Sequence, residues 1–259
     1  MSLSPEIQQR LDTAREKQYR NPRNKDTLRT IAHRAFVAIE GPFESGKTAI
    51  SLEVVRLDSD NFHYVPSIMT REPRTDEPAN TSRPIENTDE AVSELLDEVE
   101  QGKLVQYAIH PTDHTFYGTY PEDYQAGKYN LMPALAGRAT DYILESPFKE
   151  TQVIGIFTDP KTLEQRINNA YRDKSPQKLE NRLVEGISSA QFLIEHHKAD
   201  KLSLLHNVEG QLEKSAQALI DLVNGNRESD EEGIAYLERT VHMFEKMVRD
   251  LAANREKND

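Results

Sequence analysis

The sequence predicts an α/β fold built on a parallel sheet, and three observations carry that expectation. Short apolar runs of β type alternate with helical segments, a glycine loop joins one such run to a helix, and no apolar stretch approaches a membrane span. Strands separated by helices pair in parallel, because each crossover covers a face of the sheet.

Residues 4–20 (SPEIQQRLDTAREKQYR) have helical composition behind a Ser-Pro start, and Asn21-Pro22-Arg23-Asn24 breaks the pattern. This predicts an N-terminal helical extension over residues 1–34. The first β run, Ala35-Phe36-Val37-Ala38-Ile39, leads into Gly41–Thr48 and then a helix. Further β runs follow at Leu104–Ile109, Val153–Phe157 and Leu202–Leu205, with helical segments at Asp89–Glu100, Lys161–Tyr171 and Leu179–His197. These place the main domain at residues 35–225. Beyond Asn224-Gly225-Asn226, residues 226–259 read as a C-terminal helix with Ile234, Leu237, Val241, Phe244, Val248 and Leu251 at helical spacing. That stripe must be buried, either on the body of the chain or in a homodimer formed through the terminal helices.

Composition narrows the class. With 259 residues the chain can bury a core without covalent staples, and with no cysteine it has neither disulfides nor thiolate chemistry. The net charge of -12 repels polyanions, so no nucleic-acid partner is expected and any anion site must be local. Residues 1–34 are the exception, with eight Lys or Arg against four Asp or Glu, and they read as a solvated basic arm. The opening segment is polar without a signal-peptide core, so a soluble, cytoplasmic protein with no membrane partner is the expectation.

The loop GPFESGKT is the strongest chemical signal. The spacing G-x-x-x-x-G-K-[S/T] places glycine where the backbone turns tightly enough for successive amide N–H groups to face phosphate oxygens. The residues assigned to ATP are Gly41, Pro42, Phe43, Glu44, Ser45, Gly46, Lys47, Thr48 and Ala49. Lys47 would reach the outer phosphates and the Thr48 hydroxyl would ligate Mg²⁺. The side chain of Glu44, out of place beside anions, is expected to point outward.

About twenty residues later comes Ser67-Ile68-Met69-Thr70-Arg71-Glu72-Pro73-Arg74-Thr75-Asp76-Glu77. Two guanidinium forks suit bidentate capture of a phosphate dianion, which could then lie in line with the donor.

At these residues, together with Tyr117-Gly118-Thr119, the chain resembles the guanylate kinase family from about Ala35 to Val223. The resemblance implies a P-loop NTPase fold of the nucleoside monophosphate kinase type, a parallel sheet flanked by helices, with an acceptor-binding insertion at about 67–128 and a lid at about 166–182. The extra helices at both ends have no counterpart in that family. The resemblance further implies that Arg71, Arg74 and Tyr117 grip an acceptor monophosphate, that Ser67 and Thr119 face its base, and that Glu77 supports the pocket. Arg166 and Arg182, with Arg172 as a third, correspond to lid arginines that stabilise charge during phosphoryl transfer. The implied reaction is GMP + ATP to GDP + ADP, with Mg²⁺ bound to ATP.

The chain also departs from the family. Gln106 stands where the family places a base-binding glutamate, and an amide offers one acceptor beside a donor where a carboxylate offers two acceptors. Arg83 falls at a tyrosine position, and Leu131-Met132-Pro133-Ala134-Leu135 replaces an acidic strand, leaving Glu40 and Asp113 as the nearest substitute acids. Thr70-Arg71-Glu72-Pro73 also resembles thymidylate kinases, and another small phosphate acceptor remains open. A third class is a binding module of guanylate-kinase type without catalysis, from which the retained Gly46, Lys47 and Thr48 distinguish this chain.

Overall fold

A computed structural model describes residues 3–20, 23–73, 77–110, 114–133 and 138–256. Arg74, Asp113, Asn21-Pro22 and Ala134-Leu135 lie outside the described residues. In chain order the first elements are α1 (Pro5–Lys17), α2 (Lys25–Ile31), β1 (Ala35–Glu40), α3 (Lys47–Leu57), β2 (Phe62–Tyr64), β3 (Ser67–Met69) and β4 (Ser82–Pro84). Then come α4 (Asp89–Glu100), β5 (Gln106–Ile109), β6 (Phe116–Thr119), β7 (Tyr129–Pro133), α5 (Arg138–Leu144) and β8 (Glu150–Phe157). The chain ends with α6 (Pro160–Ala170), α7 (Pro176–Lys198), β9 (Ser203–His206), α8 (Leu212–Val223) and α9 (Gly233–Glu256). The architecture is mixed α/β with a mostly parallel central sheet flanked by helices, the class expected from the sequence. No described helix is long and apolar enough to cross a membrane.

The chain divides into two compact units, residues 1–36, 60–132 and 138–151 in one and residues 37–59, 133–137 and 152–259 in the other. In the first unit, β2 and β7 pair in parallel, and a separate four-stranded sheet runs β4-β3-β6-β5. Its β3–β4 pair is parallel, whereas β3–β6 and β5–β6 are antiparallel. One face of that sheet is apolar. Ile68, Tyr107, Ile109 and Phe116 pack there with Val92, Leu95, Leu96 and Val99 of α4 and Ile7, Leu11 and Ala14 of α1. The N-terminal extension therefore belongs to this core. Burying a side chain such as Leu11 contributes about 1.5–3 kcal/mol, more than the basic face of α1 could offset by solvation alone. That basic face is anchored too, because Arg10 donates to Ser93 Oγ (2.8 Å) and Asp97 Oδ1 (2.6 Å).

In the second unit β8 and β9 pair in parallel, with Ile154 opposite Ser203 and Phe157 opposite His206. A Cβ at Gly155 would lie 2.8 Å from the side chains of Leu193 and Leu204, so glycine lets α7 close onto the strand. The tail stripe is covered by its own chain: Phe244 is fully buried with Leu163, Ile167 and Leu183 of α6 and α7, and Met243, Met247, Val248 and Leu251 pack against them. Helices α1, α4, α6 and α7 start at Ser4, Thr88, Asp159 and Ser175, whose side-chain oxygens accept from amides of the first turn. Each such cap is worth about 1 kcal/mol. The β run expected at Leu104–Ile109 begins two residues later as a strand, although Val105 N still donates to Thr119 O at 2.8 Å.

Candidate functional site

Strand β1 is buried almost throughout and delivers the chain to the loop at Glu40, itself fully buried. Gly41 has φ 147° and a Cβ there would stand 2.4 Å from the carbonyl oxygen of Ile156, so no side chain is tolerated. Gly46 has φ 93° at the start of α3, and a Cβ there would meet Asn207 Nδ2 at 2.3 Å. Between them Glu44 also takes a positive φ, 61°, which is uncommon for a residue with a side chain. Its side chain is exposed, in keeping with the sequence expectation.

Lys47 is the first residue of α3, and its Nζ turns back to donate to Gly41 O (2.7 Å) and Pro42 O (2.8 Å). Loss of hydration inside the loop lowers its pKa to about 8; Glu40 and Glu44 pull upward against this, and the Arg182 guanidinium adds to the depression. Ser45 is fully buried, and its Oγ has no hydrogen-bond partner among the described residues. Its carbonyl accepts from Asn207 Nδ2 at 2.7 Å, which clamps the loop to the residue after β9. Thr48 follows Lys47 in the first turn of α3, partly exposed, and Ala49 comes next on the outside.

Two of the three arginines expected on a lid lie at this loop. Arg166 of α6 donates to Glu44 O (3.1 Å) and pairs with Glu209. Arg182 of α7 donates to Glu185 Oε2 at 2.7 Å and interacts with the Tyr171 hydroxyl, close enough to Lys47 to act on its protonation. Arg172, just past α6, donates to Asn169 Oδ1 (3.1 Å) on the adjoining turn. Asn207, Glu185 and Glu209 were absent from the sequence reading. The nearest signal for Asn207 was its place directly after the last β run, at the end of a strand that pairs in parallel with its neighbour.

In the first unit the residues expected to bind an acceptor converge through strand register. Gln106 stands opposite Thr119, and Met69 opposite Tyr117. Cross-strand partners share a face and alternate residues return to it, so Ser67, Gln106, Tyr117 and Thr119 lie on the face opposite the apolar cluster. Just beyond β3, Arg71 Nε donates to Tyr117 OH (3.0 Å) and Nη1 to Glu77 Oε2 (2.8 Å), so Arg71 touches both. Thr119 Oγ1 shares a 2.9 Å hydrogen bond with Tyr124 OH, and Gln106 Nε2 approaches Met132 Sδ at 3.6 Å. Arg83, opposite Ile68, belongs to the other face by the same alternation and pairs with Asp123 at 2.7 Å.

A scan of protein-family models finds no match, and no curated protein matches the sequence. Among solved structures, the crystal structure of guanylate kinase from Anaplasma phagocytophilum is similar at 15% identity, with a TM-score of 0.47, over 74% of this chain and 85% of that one.

Proposed function

We propose that this protein transfers the γ-phosphoryl group of Mg-ATP to a nucleoside monophosphate, with GMP as the first acceptor to test. The observation that carries the reading is the loop at residues 41–48: glycine is imposed by geometry at Gly41 and Gly46, and Lys47 occupies the N-terminus of α3 with its ammonium inside the turn. Backbone amides and a helix N-terminus favour phosphate oxygens. On binding, Lys47 would exchange two neutral carbonyl acceptors for anionic oxygens, and the buried Ser45 hydroxyl would gain a partner. Thr48 would offer its hydroxyl to the Mg²⁺ that accompanies ATP. Arg166 and Arg182 would turn from their carboxylates toward the triphosphate, and Arg71 and Tyr117 would hold the acceptor phosphate. Arg74 joins them by the resemblance alone. A general base is unnecessary, because a phosphate oxygen attacks and the protein supplies alignment and charge neutralisation.

The test incubates the protein with Mg-ATP and a panel of nucleoside monophosphates while following ADP. Acceptor-dependent turnover lost in Lys47→Ala is expected. Nucleotide binding without turnover on any acceptor would instead identify a binding module. Arg71→Ala should raise the acceptor KM by about 10–100-fold, the worth of hydrogen bonds to a charged group, and leave ATP affinity within about twofold. Equal loss of both would contradict the division of labour.

A further inference from the structure

Phe43 occupies a variable position of the loop, and phosphate binding by main-chain amides gives an aromatic ring there no task. The structure supplies one. The Phe43 ring stacks on Phe244 of α9 at 5.6 Å and 20°, and meets Tyr171 edge-on at 5.7 Å and 77°. Gly186 of α7 makes room for both phenylalanines, because a Cβ there would lie 2.6 Å from Phe244 and 3.0 Å from Phe43. Phe244 has no exposure at all. On the far side of Phe43, the Tyr171 hydroxyl interacts with Arg182. The series Phe244, Phe43, Tyr171 thus joins the C-terminal helix to the loop through direct ring contacts, and Arg182 interacts electrostatically with its last member.

Glu44, at the tip of the loop, holds a φ of 61° that its side chain makes costly, and such backbone persists only where its surroundings over-determine it. Lys47 and Asn207 tie the loop by hydrogen bonds on its inner side. The aromatic contacts tie its tip from outside. We propose that Phe244 is a positioning residue for the phosphate loop: through its stacking on Phe43, helix α9 sets the loop conformation. The geometry of this brace stands without any assignment of the loop, whereas its consequence for nucleotide affinity rests on the phosphate-site reading.

Two measurements on the full chain separate these claims. Amide exchange across residues 43–50 without nucleotide reports the brace directly. In Phe244→Ala it should accelerate about tenfold, equivalent to about 1.4 kcal/mol of local opening. Phe244→Leu, which keeps an apolar side chain against Phe43, should restore most of the protection. Leu237→Ala is the control: Leu237 is equally buried on the same helix but lies outside the Phe43 cluster, so a cavity there should leave loop exchange unchanged. Equal acceleration in both alanine variants, or in neither, overturns the proposal. The second measurement is Mg-ATP affinity by calorimetry, which should weaken about tenfold in Phe244→Ala and recover in Phe244→Leu. A loop that loosens as expected in Phe244→Ala, while the wild-type protein binds no Mg-ATP, would uphold the brace and remove the phosphate-site reading.

Discussion

Gly46→Ala tests the loop geometry most directly, because two separate costs can be worked out for it. At φ 93° and ψ 16° an added Cβ meets the strain that keeps residues with side chains out of left-handed backbone, about 1–2 kcal/mol. The same Cβ would stand 2.3 Å from Asn207 Nδ2, so the amide must swing away and release its 2.7 Å bond to Ser45 O. Losing that bond adds about 1 kcal/mol, for a total of about 2–3 kcal/mol. Asn207→Ala alone leaves the Ser45 carbonyl unpaired at a cost of about 1–3 kcal/mol. The double variant should cost about 1 kcal/mol less than the sum of the singles, because the hydrogen bond can be lost only once. Urea unfolding with linear extrapolation measures all four corners of the cycle, provided the m-value stays constant. A Gly46→Ala cost below about 0.5 kcal/mol, or a strictly additive cycle, would refute the assigned geometry.

Three further outcomes follow from named contacts. Lys47 has a folded pKa of about 8, below its ordinary value, so between those two values the folded chain holds fewer protons there than the unfolded chain, and stability attributable to this group rises with pH across that window. Because phosphate binding requires the charged form, Mg-ATP association at pH 9 should take up about one proton, read as a buffer dependence of the calorimetric enthalpy that is absent in Lys47→Met. Gly186→Ala should destabilise the protein although glycine-to-alanine in a helix interior normally stabilises by about 1 kcal/mol; a rise in melting temperature would mean the two phenylalanine rings yield freely. Leu11→Ala should cost about 2–5 kcal/mol in urea unfolding, as expected of a residue inside a core, and a cost near zero would return α1 to the status of an appendage.

Periodicity made most helices legible. The segment Asp89–Glu100 is α4 residue for residue, since Val92, Leu95, Leu96 and Val99 mark one face and Thr88 supplies the cap. The tail stripe was equally plain, but periodicity shows only that a face is buried and not what covers it. The covering helices α6 and α7 lie dozens of residues upstream, and no local pattern encodes that contact. The loop was legible because its demand for glycine is local, whereas Asn207 acts across 162 positions and carries no motif. Arg83 shows a subtler gap. The resemblance puts it at a tyrosine position of the family, and the parallel β3–β4 register sets Arg83 opposite Ile68 and Ser82 opposite Ser67. A one-residue difference in strand register exchanges the two faces of a sheet, and the sequence does not reveal register.

The pairing of the cations also orders their roles. To serve a triphosphate, Arg166 and Arg182 must each first leave a carboxylate, so the contribution of each is the difference between two pairings. Arg166 leaves Glu209, whose side chain is 64% exposed, and an exposed pair is worth only about 0–1 kcal/mol. Arg182 leaves Glu185, which is less exposed at 37%, and also gives up the Tyr171 hydroxyl that couples it to Phe43. Arg166 is therefore the arginine whose ion pair costs less to break, and Arg182 the one more firmly paired before a ligand arrives. Replacing Arg166 should weaken nucleotide contacts and also quicken loop exchange, because it donates to Glu44 O, whereas replacing Arg182 should weaken nucleotide contacts and leave the loop's ties to Phe244, Asn207 and Lys47 in place.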